Sequence, residues 1–133
     1  MANPVVHFEF GVRDIAKAKA FYGPLFGWEF NEYGPAVMVG NIGPHAPGMQ
    51  GGQGNPMAGI GGHLSCMPGP DGTPIPYCVV YVLVDDLAKT IAHAEKLGGK
   101  AMIPPTEVPG MGHFAWIKDP DGTTVGLWKA MSR

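Results

Sequence analysis

The chain has 133 residues, a formal net charge of −2 at pH 7, and hydrophobic residues at 45% of its positions. This length suits one compact domain with a sizeable core. The slightly negative net charge provides no positive electrostatic potential that would attract nucleic acid. No apolar run approaches membrane-spanning length, and no basic, apolar signal segment stands at the N-terminus. Cys66 and Cys78 lack metal or redox spacing. We therefore expect a cytoplasmic protein with two free thiols, and no nucleic-acid or membrane partner.

The chain begins with a strand–helix unit between residues 5 and 27. Residues 7–12 are rich in Phe and Val, which suit a half-buried pleated surface. Asp14 stands where the apolar period changes and is predicted to cap a helix, and Gly27 supplies the left-handed stop of that helix. Apolar residues recur at helical spacing between these two points, at Ile15, Ala18, Phe21, Tyr22 and Leu25.

Three further strands are predicted after this helix. The first two cover residues 27–30 and 36–39, with a turn at residues 33–35 between them. Residues 41–56 read NIGPHAPGMQGGQGNP, a loop of a length that is typical of functional or mobile segments. A binding-site lid and a plain insertion both remain open for it. The last strand, loosened by glycines, is predicted within residues 57–67.

The pattern of the first unit returns 72 residues later, over residues 79–99. At that offset Asp14 matches Asp86 and Gly27 matches Gly99, and the matches keep one register across a strand, a cap and a helix. We therefore interpret the chain as an internal duplication. Module one covers residues 4–66, a linker covers residues 67–76, and module two covers residues 77–131.

Module two repeats the order of elements in module one. After its helix, strands are predicted over residues 100–103, 113–117 and 123–128. Residues 119–122, Asp-Pro-Asp-Gly, are a strong reverse-turn signal, because Pro presets one dihedral angle and Gly supplies a positive φ. Each module is thus strand–helix–strand–strand–strand. Because a helix buries only one stripe, it must cover one face of a sheet.

These features together resemble the vicinal-oxygen-chelate superfamily, which includes glyoxalase I, extradiol dioxygenases and bleomycin-resistance proteins. The residues that carry the resemblance are Phe21-Tyr22 in the first helix, Gly27-Trp28 after it, the Asp-Pro-Asp-Gly turn, and the final Gly126-Leu127-Trp128. The resemblance implies an α+β fold in a single glyoxalase-like domain over residues 1–133. Two tandem βαβββ modules would form an open, cupped eight-stranded sheet, with helices outside and a cavity inside.

The resemblance also implies a metal on the inner sheet face, held by ligands on the first and last strands of each module. His7 matches the first-strand position of module one, but its counterpart in module two is Val79, which cannot bind a metal. The last-strand position of module two is Gly126, which also offers no ligand. His63 could fill that position in module one. A catalytic metal normally needs about three protein ligands.

Glu9 could complete such a set, because side chains alternate along a strand and Glu9 would share a face with His7. His7, Glu9 and His63 would then form a two-His-one-carboxylate set for one divalent ion, with zinc, manganese, nickel and iron as candidates. We take His7 and His63 as candidate metal ligands and Glu9 as the candidate catalytic residue, acting as a general base. The alternatives are that Glu9 satisfies a backbone or tyrosine group and that His7 is a hydrogen-bonded inner residue.

Three residues of module two are candidates for a ligand pocket. Trp128 shares a face with Gly126, so Trp128 points inward if Gly126 does. Trp116 and His113, at the cavity rim, are the other two candidates. Inward Trp and Met side chains would give a largely apolar small-molecule site, although the same residue types are also common in cores and dimer interfaces.

Two functions follow from these residues. The first is a glyoxalase- or dioxygenase-like enzyme that acts on a small carbonyl or catechol-like molecule in the inner cavity with the help of a metal. The second is a metal-free small-molecule binding or sequestering protein of the bleomycin-resistance type, which Val79 and Gly126 favour. Short members of this superfamily generally pair two chains, and open sheet edges need cover. We therefore expect a homodimer with a small-molecule ligand or substrate.

Overall fold

A computed structural model describes residues 2–33, 36–40, 60–68 and 71–131. The elements in chain order are β1 (Val5–Gly11), α1 (Ile15–Phe26), β2 (Glu29–Tyr33), β3 (Ala36–Gly40), β4 (Gly61–Ser65), β5 (Tyr77–Leu83), α2 (Leu87–Lys96), β6 (Lys100–Val108), β7 (Gly112–Lys118) and β8 (Thr124–Ala130). This order confirms the predicted α+β class and its two βαβββ modules. The predicted loop at residues 41–56, and residues 34–35 of the predicted turn, lie outside the described residues.

The chain divides into two compact units, Val6–Cys78 and Val79–Arg133, with the N-terminal residues up to Val5 joined to the second. In the first unit the strands lie in the order β2-β3-β4-β1. The β1–β4 pair is parallel and the other two pairs are antiparallel. The parallel pair sets Glu9 opposite His63, and this register positions the candidate site.

One face of the first sheet packs against α1. Its buried core consists of Ala18, Val37, Val39 and Leu64, and Leu64 is completely buried. Aromatic rings extend this core at centroid separations of 5.0–6.2 Å, a spacing at which ring pairs stabilise one another. These rings belong to Phe8, Phe10, Tyr22, Phe26 and Trp28.

The second unit has the strand order β5-β8-β7-β6, with β5 and β8 parallel and the other pairs antiparallel. Its core, beside α2, consists of Val84, Leu87, Ala115 and Leu127. Here β6 runs on through Pro104-Pro105, where the sequence predicted its end, and the register with β7 shifts twice along this stretch. A proline pair is tolerated because β6 lies at the sheet edge, where a missing N–H breaks no ladder and bulges are common.

Both predicted helix caps are confirmed. An Asp14 carboxylate oxygen accepts from the Lys17 backbone N–H at 3.0 Å, and Asp86 accepts from the Lys89 N–H at 2.9 Å. Gly27 ends α1 in the left-handed region with φ 72°, where a glycine has no Cβ to clash. Each cap fixes where its strand turns into its helix.

Neither helix in the described part of the chain is long and apolar enough to cross a membrane. Cys66 and Cys78 are free thiols, and both are exposed.

Candidate functional site

The candidate site lies on the sheet face of module one that is turned away from α1. Along β1, Phe8 and Phe10 pack into the core under α1. His7 and Glu9 alternate with them and therefore point to the opposite face. We call this the histidine face, defined by His7, Glu9 and His63. Glu9 is only 3% exposed although it carries a carboxyl group.

β4 supplies the other histidine by the same alternation. Leu64 is completely buried in the α1 core, so its neighbours His63 and Ser65 project to the histidine face. In the parallel ladder His63 pairs with Glu9, whereas in module two Gly126 pairs with Tyr81. Because Tyr81 stands 72 residues after Glu9, His63 occupies the same last-strand position as Gly126.

The three side chains form a chain of contacts. Nε2 of His7 lies 2.7 Å from Nδ1 of His63, and Nε2 of His63 lies 3.5 Å from Oε1 of Glu9. The other carboxylate oxygen, Oε2, accepts hydrogen bonds from the hydroxyls of Ser65, at 2.9 Å, and Tyr77. His63 therefore lies between His7 and Glu9, and it contacts them through different ring nitrogens.

Sequence reasoning did not single out Ser65 or Tyr77. The sequence alone could have indicated Ser65, because Ser65 stands two residues after His63 and therefore shares its face of the strand. The contact between Tyr77 and Glu9 joins residues 68 positions apart, and no local sequence pattern predicts it. It agrees with the alternative in which Glu9 satisfies a tyrosine group.

Burial governs the ionisation of His7. Burial, and after it neighbouring His63, lowers the pKa of His7 to about 4, while Glu9 opposes the shift. His7 is accordingly neutral at pH 7. Burial, followed by the hydrogen bond to Glu9, raises the pKa of the Tyr77 phenol, so this hydroxyl remains a donor throughout the neutral range.

These contacts favour one assignment of the ring protons. An ionised carboxylate is an acceptor only, so Glu9 favours the His63 tautomer with its proton on Nε2. Nδ1 of His63 is then the acceptor in the 2.7 Å contact, and Nε2 of His7 is the donor. The result is a directed chain in which His7 donates to His63 and His63 faces Glu9.

The same arrangement does not fit a three-ligand metal centre. Ligand atoms of one ion must converge on a point about 2.0–2.2 Å from each of them. His63 instead presents Nδ1 to His7 and Nε2 to Glu9, so its contacts with the two partners use different ring nitrogens. Within the described residues no group of three or more His, Cys, Asp or Glu side chains is placed to hold a metal ion. The structure thus brings the candidate residues together as a chain, and metal binding by His7 and His63 stays a prediction.

Module two carries aromatic residues at the corresponding place. Tyr81 is buried, and its hydroxyl accepts from the Trp116 indole N–H at 2.8 Å. Trp116 pairs with Gly126 across the β7–β8 ladder, and Trp128 shares the face of Gly126 by alternation. Both tryptophans are half-buried.

The structure does not bring His113 to this aromatic face. His113 alternates with Phe114 along a regularly paired β7 and shares the face of Ala115, which lies in the core beside α2. Its ladder partners are Glu107 and Lys129.

Comparison with known proteins agrees with this architecture. The sequence profile of the Glyoxalase/Bleomycin resistance protein/Dioxygenase superfamily matches residues 5–127. The protein CFP32 of Mycobacterium bovis, named provisionally as a glyoxylase, is 33% identical over 130 residues, which cover 88% of this chain and 42% of CFP32. The chain thus spans less than half the length of this relative.

Two kinds of solved structure share the fold. A variant of homoprotocatechuate 2,3-dioxygenase from Brevibacterium fuscum superposes with a TM-score of 0.61 at 16% identity, over 96% of this chain and 32% of the dioxygenase chain. The Mn(II)-bound glyoxalase from Novosphingobium aromaticivorans has a TM-score of 0.59 at 19% identity, over 96% of this chain and 40% of that one. At these identities the likeness concerns the fold alone.

Proposed function

Because the chain belongs to the superfamily of glyoxalases, bleomycin-resistance proteins and dioxygenases, we propose that it is an enzyme that moves a proton between adjacent carbons of a small carbonyl compound on the histidine face. The observation that carries this proposal is the contact chain from Glu9 through His63 to His7. In general acid–base catalysis the base is held in place by hydrogen bonding to a further group, and the carboxylate and His63 could hold His7 in this way.

The ionisation of the contact chain leaves His7 able to accept a proton at pH 7. His7 is neutral at pH 7, since burial lowers its pKa to about 4, and a neutral imidazole can accept a proton from a substrate carbon. His63 and the Glu9 carboxylate would stabilise the imidazolium that forms. A base with a lowered pKa also returns its proton readily, so the same group can deliver it to the neighbouring carbon.

A hemithioacetal of an α-oxoaldehyde is the simplest substrate of this class. Its C–H proton leaves the carbon that bears sulfur and returns to the former ketone carbon, while a hydroxyl proton shifts between the two oxygens. The product is a 2-hydroxy thioester, an isomer of the starting compound, so no oxidant or reductant is needed. The name of CFP32 as a glyoxylase supports this substrate class for the chain.

The test uses methylglyoxal mixed with glutathione, and separately with 2-mercaptoethanol, in D2O. Thioester formation is followed by absorbance, and deuterium incorporation at the product carbon by NMR. We expect turnover by the wild type, a loss of at least about 100-fold in His63→Gln and Glu9→Gln, which is the scale of general acid–base catalysis, and full activity in His93→Gln. His93 is an exposed histidine on α2 and serves as the matched control.

An inactive wild type with both thiols would overturn the isomerase proposal. Equal activity in the wild type and His63→Gln would overturn the role of the contact chain from Glu9 through His63 to His7 in the isomerisation. Partial loss in His93→Gln would indicate that the histidine substitutions act through stability, which thermal unfolding of the same variants would reveal.

A second candidate, a metal-free binding protein, has its own support. Glu9 is already occupied by two hydroxyl donors, and module two presents Trp116 and Trp128 on one face. In that case the tryptophans would stack on a planar ligand. Homoprotocatechuate, the catechol named for a structural neighbour, serves as the probe. Quenching of tryptophan fluorescence that is lost in Trp116→Leu, without turnover of the hemithioacetal, would favour this candidate.

Assembly forms part of the proposal. This chain matches 42% of the length of CFP32, so two copies would supply a comparable length of chain, and we propose a homodimer in the cytoplasm. Sedimentation at micromolar concentration should give twice the mass of the chain. A purely monomeric species would count against the dimer.

A further inference from the structure

We propose that Tyr77 is a positioning residue of the histidine face, and that its hydroxyl turns Glu9 so that the carboxylate fixes the proton on one nitrogen of His63. The functional meaning of this role rests on the proposed proton transfer. The positional role itself can be measured without a substrate.

Tyr77 reaches Glu9 because Gly11 makes room for its ring. A Cβ built on Gly11 would lie 2.0 Å from the Tyr77 ring, a separation that no packed side chain tolerates. Gly11 does not have a positive φ, so the absence of a side chain at this position serves space and not backbone conformation. The ring lies over Gly11, and its hydroxyl donates to Oε2 of Glu9.

Two donors hold the same carboxylate oxygen. Ser65 donates to Oε2 at 2.9 Å, and its hydroxyl lies 3.0 Å from the hydroxyl of Tyr77. With Oε2 engaged by both hydroxyls, Oε1 is the oxygen that faces Nε2 of His63. Because the carboxylate is 4% exposed at its side chain, solvent contributes little to its orientation. Tyr77 and Ser65 therefore decide which carboxylate oxygen faces His63.

The burial of the Tyr77 phenol agrees with a donor role. A phenol that stays protonated donates to a carboxylate over the whole neutral range. A charge-assisted bond of this kind is about twice as strong as one between neutral groups. Loss of the hydroxyl should therefore loosen the carboxylate without removing the aromatic ring that packs on Gly11.

The experiment reads the tautomer of each histidine ring by long-range ¹⁵N–¹H correlation NMR at pH 7. In the wild type, we expect His63 to be protonated at Nε2 only, with Nδ1 at the shift of an acceptor nitrogen. In Tyr77→Phe, the His63 nitrogens should move toward the averaged shifts of a tautomer mixture. Gly11→Ala, which displaces the ring but keeps the hydroxyl, should give the same signature.

Tyr81→Phe is the matched control. Tyr81 is also a buried tyrosine with a hydrogen-bonded hydroxyl, but its partner is Trp116 of module two. Its removal should leave the His7 and His63 resonances unchanged. Unchanged His63 shifts in Tyr77→Phe, or equal changes in Tyr81→Phe, would overturn the positioning role.

The two proposals can fail separately. If Tyr77→Phe changes the His63 tautomer but the wild type does not isomerise the hemithioacetal, the positioning role stands and the proposed reaction falls. If the reaction occurs, Tyr77→Phe should lower kcat by about tenfold or more with KM nearly unchanged, since the proposed role of Tyr77 acts through Glu9 and His63. If the wild type is active but the His63 spectrum is unaltered in Tyr77→Phe, the proposed reaction stands and the positioning role of Tyr77 falls.

Discussion

Glu9 and His63 are direct partners in the parallel ladder between β1 and β4. In module two the same two register positions hold Tyr81 and Gly126. The Tyr81 ring occupies the space that a side chain at position 126 would need, since a Cβ there would lie 2.5 Å from it. The duplication has therefore kept one backbone register while one module holds a carboxylate–imidazole pair and the other a tyrosine packed on glycine.

This packing makes a side chain at position 126 costly. Gly126→Ala should lower the free energy of unfolding by about 1–3 kcal/mol, the usual cost of overpacking a core. In a Tyr81→Ala background the same change should cost less, because the opposing ring is gone. Urea unfolding of the four proteins forms a double-mutant cycle that measures the coupling.

Gly61→Ala is the control for this cycle. Gly61 is also a strand glycine, but among the described residues no atom would lie within 4 Å of an added Cβ. Its change should stay within about 0.5 kcal/mol. Strict additivity of Gly126→Ala and Tyr81→Ala would contradict the steric explanation.

The lowered pKa of His7 predicts a pH-dependent stability. The folded-state pKa is about 4 and the ordinary value is 6.5, so the unfolded chain takes up the proton first as the pH falls. The stabilisation is present above pH 6.5 and is lost as the pH falls toward 4. At about 1.4 kcal/mol per unit, the loss amounts to at most about 3 kcal/mol.

Urea midpoints between pH 7 and pH 4 measure this loss. The wild type should lose more stability over that interval than His7→Gln, whose side chain does not titrate there. His93→Gln, at an exposed position, should follow the wild type. A His7 NMR titration midpoint near 6.5 would refute the effect of burial.

The parts of the fold that depend on neighbouring residues could be predicted from the sequence. Asp14, Asp86 and Gly27 act within one turn of their own positions, and their types define the helix ends. The offset of 72 residues transferred the register of the first strand and helix from module to module, and so identified Val79 as the counterpart of His7. These features need only the periodicity of the chain.

Other features depend on the distances between distant residues, which a sequence does not contain. The contact between Tyr77 and Glu9 joins two strands through a ring lying over Gly11. The continuation of β6 through Pro104-Pro105 depends on its place at a sheet edge. Whether donor atoms converge on one point is decided by shifts of about an ångström, the scale that separates hydrogen-bonded from metal-bound nitrogens.

Removal of a helix cap should have a small, definite cost. Asp86→Ala leaves the Lys89 backbone N–H without its 2.9 Å acceptor, and we expect a loss of about 1 kcal/mol in the free energy of unfolding. Asp86→Ser should retain most of the stability, because a serine oxygen can cap in the same way. Asp85→Ala removes a neighbouring exposed carboxylate as the control. Equal losses in Asp85→Ala and Asp86→Ala would show an effect of charge and not of the cap.

Metal binding distinguishes the contact chain from the metal centre that the family resemblance implies. His63 faces His7 and Glu9 through different nitrogens, so one ion would have to break one of these two contacts to bind all three residues. Calorimetric titration of chelator-stripped protein with zinc, manganese, nickel and iron(II) should therefore give no tight one-to-one binding. Tight binding that disappears in His7→Ala and persists in His93→Ala would show that the side chains rearrange around an ion. The proposed metal-free proton transfer would then be replaced by a metal-assisted reaction. In that reaction His7 and His63 would hold the ion, and Glu9 would be the third ligand or the base.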